Sequence, residues 1–292
     1  MPIAIFGYVS RDVVITRHNN QSIEKIGGKA YYSGVCLANL GEDTSIFIPL
    51  EEQSQDLWDK IKVKNMKIWS FESSTPRYEN EFLDSSLNTR IFRAKIDPNF
   101  SFTSSLLTKN MKKELQLCDH IHLAPSNPQQ IPLPFIQYLQ CEYHAKLSAD
   151  LDFFIKSVDE NGKVSLVERD YLFSVLRCLD VVLLSKEDLS YFRLVENEAL
   201  SVISQAGPSE VILTKGSEGA IIFSKNEKKI YTIPAIKPKK IVDVTGAGDT
   251  YIAAYLFRRK LNNIYESALF AARITSLKLE SSSAFSGFNS VP

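Results

Sequence analysis

Short apolar runs that alternate with helical segments dominate the pattern of this chain. Runs of four to six residues rich in Ile, Val and Leu are typical of strands buried on both faces of a sheet. Strand–helix–strand units favour parallel strands, so we predict an α/β fold in three layers, with a mostly parallel central sheet flanked by helices. Strands are predicted at residues 3–6, 45–49, 120–123, 146–151, 181–184, 211–214, 220–224 and 229–233, and helices at about 30–40, 53–63, 106–117, 132–140 and 170–177, with two more closing the chain.

Two segments depart from this rhythm. Residues 13–16 and 22–26 flank a polar tip, and residues 77–83 and 89–94 alternate in polarity around a polar turn at 84–88. Such alternation is typical of antiparallel strands with one face in solvent. We therefore expect a small β lid, built from about 12–26 and 77–94, beside the main sheet. No repeat or long linker indicates a second unit, so residues 1–292 are interpreted as one domain.

Charge and composition exclude several classes of partner. The 34 basic and 34 acidic side chains of the 292 residues cancel, which gives no electrostatic reason to expect a nucleic acid or a membrane surface. No apolar run approaches the roughly 20 residues needed to cross a bilayer, and the start shows no export signal. The four cysteines form no C-x-x-C pair. We expect a soluble, cytoplasmic protein whose partner is a small molecule.

The run VTGAGD at residues 244–249 is the most informative motif, because its glycines stand where a helix begins. Glycine lets a ligand approach the backbone, and the unpaired amides and positive dipole at a helix N-terminus attract anions. Asp249 in the first turn would then be a proton acceptor beside a bound phosphate. The simpler alternative is a turn at Gly246 and Gly248 with Asp249 as a helix cap.

This run resembles the C-terminal signature D-T-G-A-G-D of the ribokinase-like (PfkB) carbohydrate kinase family. Gly27 and Gly28, followed by Leu37 and Leu40, resemble its N-terminal signature. The resemblance extends over nearly the whole chain. It implies a ribokinase-like fold and the transfer of phosphate from ATP, with Mg²⁺, to a hydroxyl of a small sugar or polyol. It also implies that Asp249 is the catalytic base and that Gly246, Ala247 and Gly248 form the anion hole.

The resemblance further implies where the substrate binds. Asp12 matches a family carboxylate that holds sugar hydroxyls, and Gly27 and Gly28 form a turn beside it. Tyr32 stands where the family commonly has a substrate-contacting Asn, and Gly34 also departs from the signature, so the substrate pocket is altered. The sequence therefore does not name the substrate.

The nucleotide site implied by the resemblance is the loop 214–219, which fits the family pattern T-x-G-x-x-G. Its candidate residues are Thr214, Lys215, Gly216 and Gly219, together with Thr245. The loop is also compatible with a plain β-turn between two strands, and Lys215 with a solvated charge.

Three acidic residues are candidates for metal binding. Ser185 and Asp188 stand where the family usually carries N-x-x-E, so Asp188 would orient Mg²⁺ through water, although a capping box explains the pair almost as well. Asp150 follows a strand end, where the family has a carboxylate of the crevice. Asp243 resembles a family position associated with a monovalent cation, with a turn residue as the alternative.

Two other functions remain compatible with the sequence. A nucleoside kinase of the same family shares these motifs, and Tyr31 and Tyr32 could stack on a base. A sugar- or nucleotide-binding protein that has lost turnover would account for the departures at Tyr32, Ser185 and Asp188. A monomer and a homodimer are both open.

Overall fold

The computed structural model describes residues 2–16, 21–82, 90–161 and 163–288. The strands are β1 (Ile3–Gly7), β2 (Ser10–Thr16), β3 (Gln21–Gly27), β4 (Thr44–Leu50), β5 (Met66–Glu72), β6 (Arg77–Phe82), β7 (Arg90–Lys95), β8 (His120–Ala124), β9 (Lys146–Asp150), β10 (Lys156–Val158), β11 (Val164–Leu166), β12 (Val181–Ser185), β13 (Glu210–Thr214), β14 (Ala220–Ser224) and β15 (Lys229–Ile233). The helices are α1 (Lys29–Asn39), α2 (Gln55–Ile61), α3 (Lys109–Leu117), α4 (Leu133–Glu142), α5 (Asp152–Ile155), α6 (Arg169–Leu176), α7 (Leu189–Phe192), α8 (Glu196–Ala206), α9 (Ala247–Arg259) and α10 (Ile264–Leu279).

The main sheet has nine strands in the order β15-β14-β13-β12-β9-β8-β1-β4-β5. All pairings from β13 to β5 are parallel, whereas β14 and β15 extend one edge in antiparallel fashion. This arrangement confirms the predicted α/β fold with a mostly parallel sheet.

Helices cover both faces of this sheet. Along β1, Ile3 and Ile5 pack with α1, α9 and α10, whereas Ala4 and Phe6 pack on the opposite face with α3, α4, α6 and α8. Because helices cover both of its faces, β1 is buried throughout, and its sequence is accordingly a continuous apolar run. The order of strands places the carboxyl ends of β1 and β9 at one rim, where the cleft described below lies.

A separate sheet of four strands, in the order β3-β2-β6-β7, forms the lid. Two antiparallel hairpins, β2–β3 and β6–β7, are joined by parallel pairing of β2 with β6. The structure therefore contains the lid that the alternating segments predict. The predicted turn at 84–88 and most of the first hairpin's tip lie outside the described residues.

Several elements have no counterpart in the sequence prediction. These are β5 at the edge of the main sheet, the helices α5, α7 and α8, and the short hairpin of β10 and β11. No helix within the described ranges is both long enough and apolar enough to span a bilayer.

Candidate active site

A cleft of about 790 Å³ separates the lid from the rim of the main sheet. Asp12, Lys25 and Asn80 line it from the lid, and Lys29, Asp150 and Asp249 line it from the main domain. Asp12 and Asp249, which are 237 positions apart in the sequence (249 − 12), thus face one cavity. Ligands of open α/β sheets bind at the carboxyl ends of strands, and this cleft has that location.

Asp12 lies on lid strand β2, with only 7% of its surface exposed. Ser10 Oγ donates a hydrogen bond of 2.7 Å to Asp12 Oδ1. A Cβ atom on Gly27 would stand 2.0 Å from Asp12 Oδ2, so the carboxylate occupies space that only glycine leaves. Burial raises the pKa of Asp12 to about 6, against the hydrogen bond from Ser10 and the charge of Lys25.

Lys29, at the start of α1, is a site residue that the sequence analysis misses. Its Nζ lies 2.5 Å from Asp150 Oδ2 and 3.5 Å from Asp152 Oδ2, and its side chain is almost fully buried. Burial opposes its charge, but the two carboxylates outweigh burial and raise the pKa of Lys29. A lysine directly after the glycine pair was the available signal. Its partners lie more than a hundred residues away, so spacing alone could not reveal them.

Asp249 lies in the first turn of α9, and its Oδ1 is buried without a hydrogen-bond partner among the described residues. The side chain makes no cap bond, because the helix begins at the left-handed Gly246 instead. Burial raises the pKa of Asp249 to about 7, and Asp150 and Asp152 add to this rise while Lys29 opposes it. A carboxylate titrating near neutrality, open to a cleft, can accept a proton from a ligand hydroxyl.

The turn before Asp249 is packed directly on an aromatic ring. A Cβ atom on Gly246, whose φ is +74°, would stand 2.2 Å from Cγ of Tyr32. Tyr32 is 1% exposed, so its ring supports the turn from below. The Ala247 amide already donates to the Val244 carbonyl at 3.2 Å. The amides of Gly248 and Asp249, in the first helical turn, have no intrahelical acceptor and are open to an anion.

Residues 246–248, which precede Asp249, are called the anion turn after their expected role. A smaller cavity of about 150 Å³ lies behind this turn. Thr214, Gly216 and Gly219 line it together with residues of α9 and α10. Two of the hydroxyls in its wall, Tyr251 Oη and Thr275 Oγ1, are buried and have no partner within the described chain. Buried hydroxyls are usually hydrogen-bonded, so these two are available to a ligand.

Lys215 and Thr245 do not line the smaller cavity. Lys215 is held at the surface by Glu196, at 2.9 Å, and by Glu218, at 3.6 Å. Thr245 faces the large cleft instead, where it bonds to Asp243. The sequence motif thus brings the 214–219 loop to the cavity, although these two side chains point elsewhere.

Asp188 turns away from the cleft. Its Oδ2 accepts hydrogen bonds from the amide and hydroxyl of Ser185, at 2.8 and 2.7 Å, and its Oδ1 lies 3.4 Å from Lys156. Its neighbour Glu187 lines the cleft. Asp188 therefore makes the capping contacts of the simpler alternative. The turn after β12 directs the carboxylate of Glu187, and not that of Asp188, toward the cleft.

Asp243 is held on two sides by lysines. Lys25, from the lid, contacts Asp243 Oδ2 at 2.7 Å, and Lys278, from α10, donates to the Asp243 carbonyl at 2.9 Å. Thr245 donates its amide and hydroxyl to Asp243 Oδ1. Burial lowers the pKa of Lys278 to about 8, and the charge of Asp243 opposes this fall. Within the described ranges, no group of three or more acidic, cysteine or histidine side chains forms a metal site.

Comparison with known proteins places this geometry in a family. The profile of the pfkB family carbohydrate kinases matches residues 3–289. A fructokinase of Rhizobium leguminosarum bv. trifolii is 25% identical over 249 residues, which are 82% of this chain and 72% of the relative.

Solved structures show the same fold. A pyrophosphate-dependent kinase in the ribokinase family, complexed with a pyrophosphate analog and myo-inositol, has a TM-score of 0.81 with 21% identity and 97% coverage of both chains. Arabidopsis thaliana ribokinase, complexed with ribose and ATP, has a TM-score of 0.74 with 16% identity, over 97% of this chain and 94% of that one. Because the family match spans almost every residue, the chain belongs to the pfkB family of carbohydrate kinases and is a kinase with the ribokinase fold.

Proposed function

We propose that the protein is an ATP-dependent kinase that phosphorylates a hydroxyl of a small sugar or polyol, with Asp249 as the base. One observation carries the proposal: a buried carboxylate oxygen of Asp249, with no hydrogen-bond partner among the described residues, faces the same cleft as a second buried acid, Asp12. Phosphoryl transfer needs alignment and charge stabilisation more than covalent chemistry. Asp249 would take the hydroxyl proton as the phosphate arrives at the amides after Gly246.

The acceptor side of the cleft suits a polyhydroxylated ring. Asp12 offers a carboxylate to hydroxyl donors, and Lys29 offers an ammonium to hydroxyl oxygens. Tyr8, Tyr78 and Phe153 form an aromatic wall with ring centroids 5.6 to 6.4 Å apart. A sugar or cyclic polyol presents hydroxyls at its edge and C–H groups on its face, so the charged groups and the aromatic wall match its two parts.

The smaller cavity supports ATP as the donor. Ligand sites for whole small molecules measure about 300–1,000 Å³, so a cavity of about 150 Å³ would accept one ring system. Its position behind Ala247 and Gly248 matches a base whose phosphates reach the anion turn. The hydroxyls of Tyr251 and Thr275, which lack a partner in the described part of the chain, would bond to the base. Pyrophosphate, which has no base, would leave this cavity without a ligand.

Magnesium fits the cleft as an ion carried by the donor. Mg²⁺ usually keeps several waters and meets phosphates plus one or two carboxylates, rather than a cage of side chains. Glu187 lines the cleft with an exposed carboxylate and would hold such an ion through water, whereas both carboxylate oxygens of Asp152 are held by lysines. Bound there, it would neutralise charge on the phosphates. The lid would exclude water, which otherwise competes with the acceptor hydroxyl.

A matrix of two donors and a panel of acceptors tests the proposal. ATP and pyrophosphate are each offered with sugars, polyols, inositols and nucleosides, and phosphorylated product is measured. We expect product with ATP and a sugar or polyol. Product only with nucleosides would establish the alternative acceptor, and product only with pyrophosphate would overturn the donor assignment. Binding of donor without any product would indicate a protein that has lost turnover.

A further inference from the structure

Lys278 is a buried cation that the proposed reaction does not use. It lies in the last turn of α10 between Leu277 and Leu279, and none of its surface is exposed. Buried charges are normally paired with an opposite charge. Within the described residues, Lys278 Nζ has no carboxylate within 4.0 Å and instead donates to the Asp243 carbonyl, 5.3 Å from the centre of the Tyr32 ring. A carbonyl oxygen and an aromatic face are the surroundings of a simple monovalent cation.

This ammonium group stands at the base of the anion turn. The amides of Val242 and Asp243 donate to the Leu279 carbonyl, at 2.8 and 3.4 Å, and so attach the loop to the end of α10 beside Lys278. The Tyr32 ring that faces Lys278 also supports Gly246. Lys278 is therefore in contact with both supports of the turn, the loop before it and the ring beneath it.

A monovalent cation does not fit at Asp243. Its carbonyl already accepts the Lys278 ammonium, and its carboxylate is taken by Lys25 and Thr245. A potassium ion on the same carbonyl would lie close to the ammonium. Two like charges about 4 Å apart repel by about 4 kcal/mol at an effective dielectric constant of 20. The site that the resemblance assigns to an ion is thus filled by a side chain.

We propose that the ammonium of Lys278 is a built-in monovalent cation that positions the 243–246 loop beneath the anion turn, so that the protein acts without K⁺ or Na⁺. Its role in turnover rests on the proposed function, whereas its role as an internal cation does not. Lys278 is a positioning residue, because it reaches the donor only through the Asp243 carbonyl and the Tyr32 ring.

Thermal unfolding tests the internal cation without any assumption about activity. Wild-type protein, Lys278→Ala and the control Arg273→Ala, an exposed basic residue on the same helix, are compared in K⁺, methylammonium and tetramethylammonium chlorides at equal ionic strength. We expect K⁺ or methylammonium to raise the melting temperature of Lys278→Ala only, since each can enter the vacated space. A K⁺-specific rise in the wild type, or none in a folded Lys278→Ala, would overturn the proposal.

Turnover and donor affinity then test the positioning role. Wild-type activity should change less than about twofold when K⁺ or Na⁺ replaces tetramethylammonium. Lys278→Met, which keeps the length of the side chain without its charge, should raise the donor KM about tenfold, which corresponds to about 1.4 kcal/mol, while the acceptor KM changes little. Tenfold activation of the wild type by K⁺ refutes the proposal even if both Lys278 variants fail to fold. Should the wild type bind no donor, the proposed function fails, and the melting experiment still decides on the internal cation.

Discussion

Replacement of Asp249 by asparagine removes one charge and one proton acceptor with little change of shape. The pKa of Asp249 rises from an ordinary value of 3.8 to about 7 because the group is buried. Between these two pH values the folded protein keeps a proton that the unfolded chain has lost, so the contribution of Asp249 to stability falls as pH rises. From pH 5 to pH 8 the contribution of Asp249 to the free energy of unfolding falls by about 2.5 kcal/mol, because one pH unit between the two pKa values corresponds to about 1.4 kcal/mol. Because the cleft admits water, which screens the charge, we expect about 1 to 2.5 kcal/mol.

The assay is urea unfolding of wild type and Asp249→Asn at pH 5 and pH 8. Relative to wild type, the free energy of unfolding of the variant should increase by about 1 to 2.5 kcal/mol from pH 5 to pH 8. The cost of burying an amide is the same at both pH values and therefore cancels in this difference. Turnover should fall about 10² to 10⁴-fold at the same time, since a general base typically contributes that much. The wild-type kcat/KM should rise with pH up to about 7 and then level off.

A constant difference between the two proteins would refute the reasoning. If Asp249 served as a helix cap, its pKa would lie at or below the ordinary value, so the group would be ionised in the folded and the unfolded chain at both pH values. The variant would then be less stable than wild type by the same amount at pH 5 and at pH 8. A folded variant with wild-type turnover on its substrate would remove Asp249 from the mechanism.

Three further substitutions have expected outcomes. Lys29→Met leaves the buried carboxylate of Asp150 without its lysine, although Asp152 keeps Lys156, so we expect a loss of about 3 to 5 kcal/mol in urea unfolding. The same variant should shift the acid limb of the pH profile of kcat/KM to higher pH, because the charge of Lys29 lowers the pKa of Asp249. Ala272→Leu fills the smaller cavity and should weaken ATP binding in calorimetry at least tenfold while sparing pyrophosphate, whereas the exposed control Arg273→Leu should change neither. Gly246→Ala forces a left-handed backbone and a clash with the ring beneath it, so melting should show a loss of at least about 1 to 2 kcal/mol; an unchanged melting temperature would contradict the packing described for this turn.

Local patterns predicted most of the architecture because a strand buried on both faces forms a continuous apolar run, as the run at 3–6 does for β1. The antiparallel edge pair at 220–233, which corresponds to β14 and β15, was also predicted. Strand β5 escaped prediction because this edge strand is only partly buried, and exposed Lys67 and Ser70 interrupt its apolar residues. The hairpin of β10 and β11 has even less apolar signal, because its strands have three residues each and β11 is exposed throughout.

The site was predictable where chemistry lies in a contiguous motif, and not where it depends on contacts between distant segments. The run at 244–249 indicated the anion turn and Asp249, and both face the cleft. The contacts that give Lys29 and Lys278 their proposed roles are with residues 121 and 35 positions away in the sequence. The choice between Glu187 and Asp188 depends on how one short turn rotates. Sequence spacing contains neither kind of information.

The parallel pairing of β2 with β6 makes the lid a composite of two chain segments, with residues 28–76 of the main domain between them. Each segment leaves and re-enters the main domain, so the lid is tethered at four crossings and has no single hinge. The four-stranded sheet must therefore move as one rigid body, since separating the two hairpins would break the β2–β6 pairing that places Arg11 opposite Arg77. For engineering, grafting one hairpin from a relative would leave mismatched edges, and acceptor preference should transfer between proteins only when both segments are exchanged together.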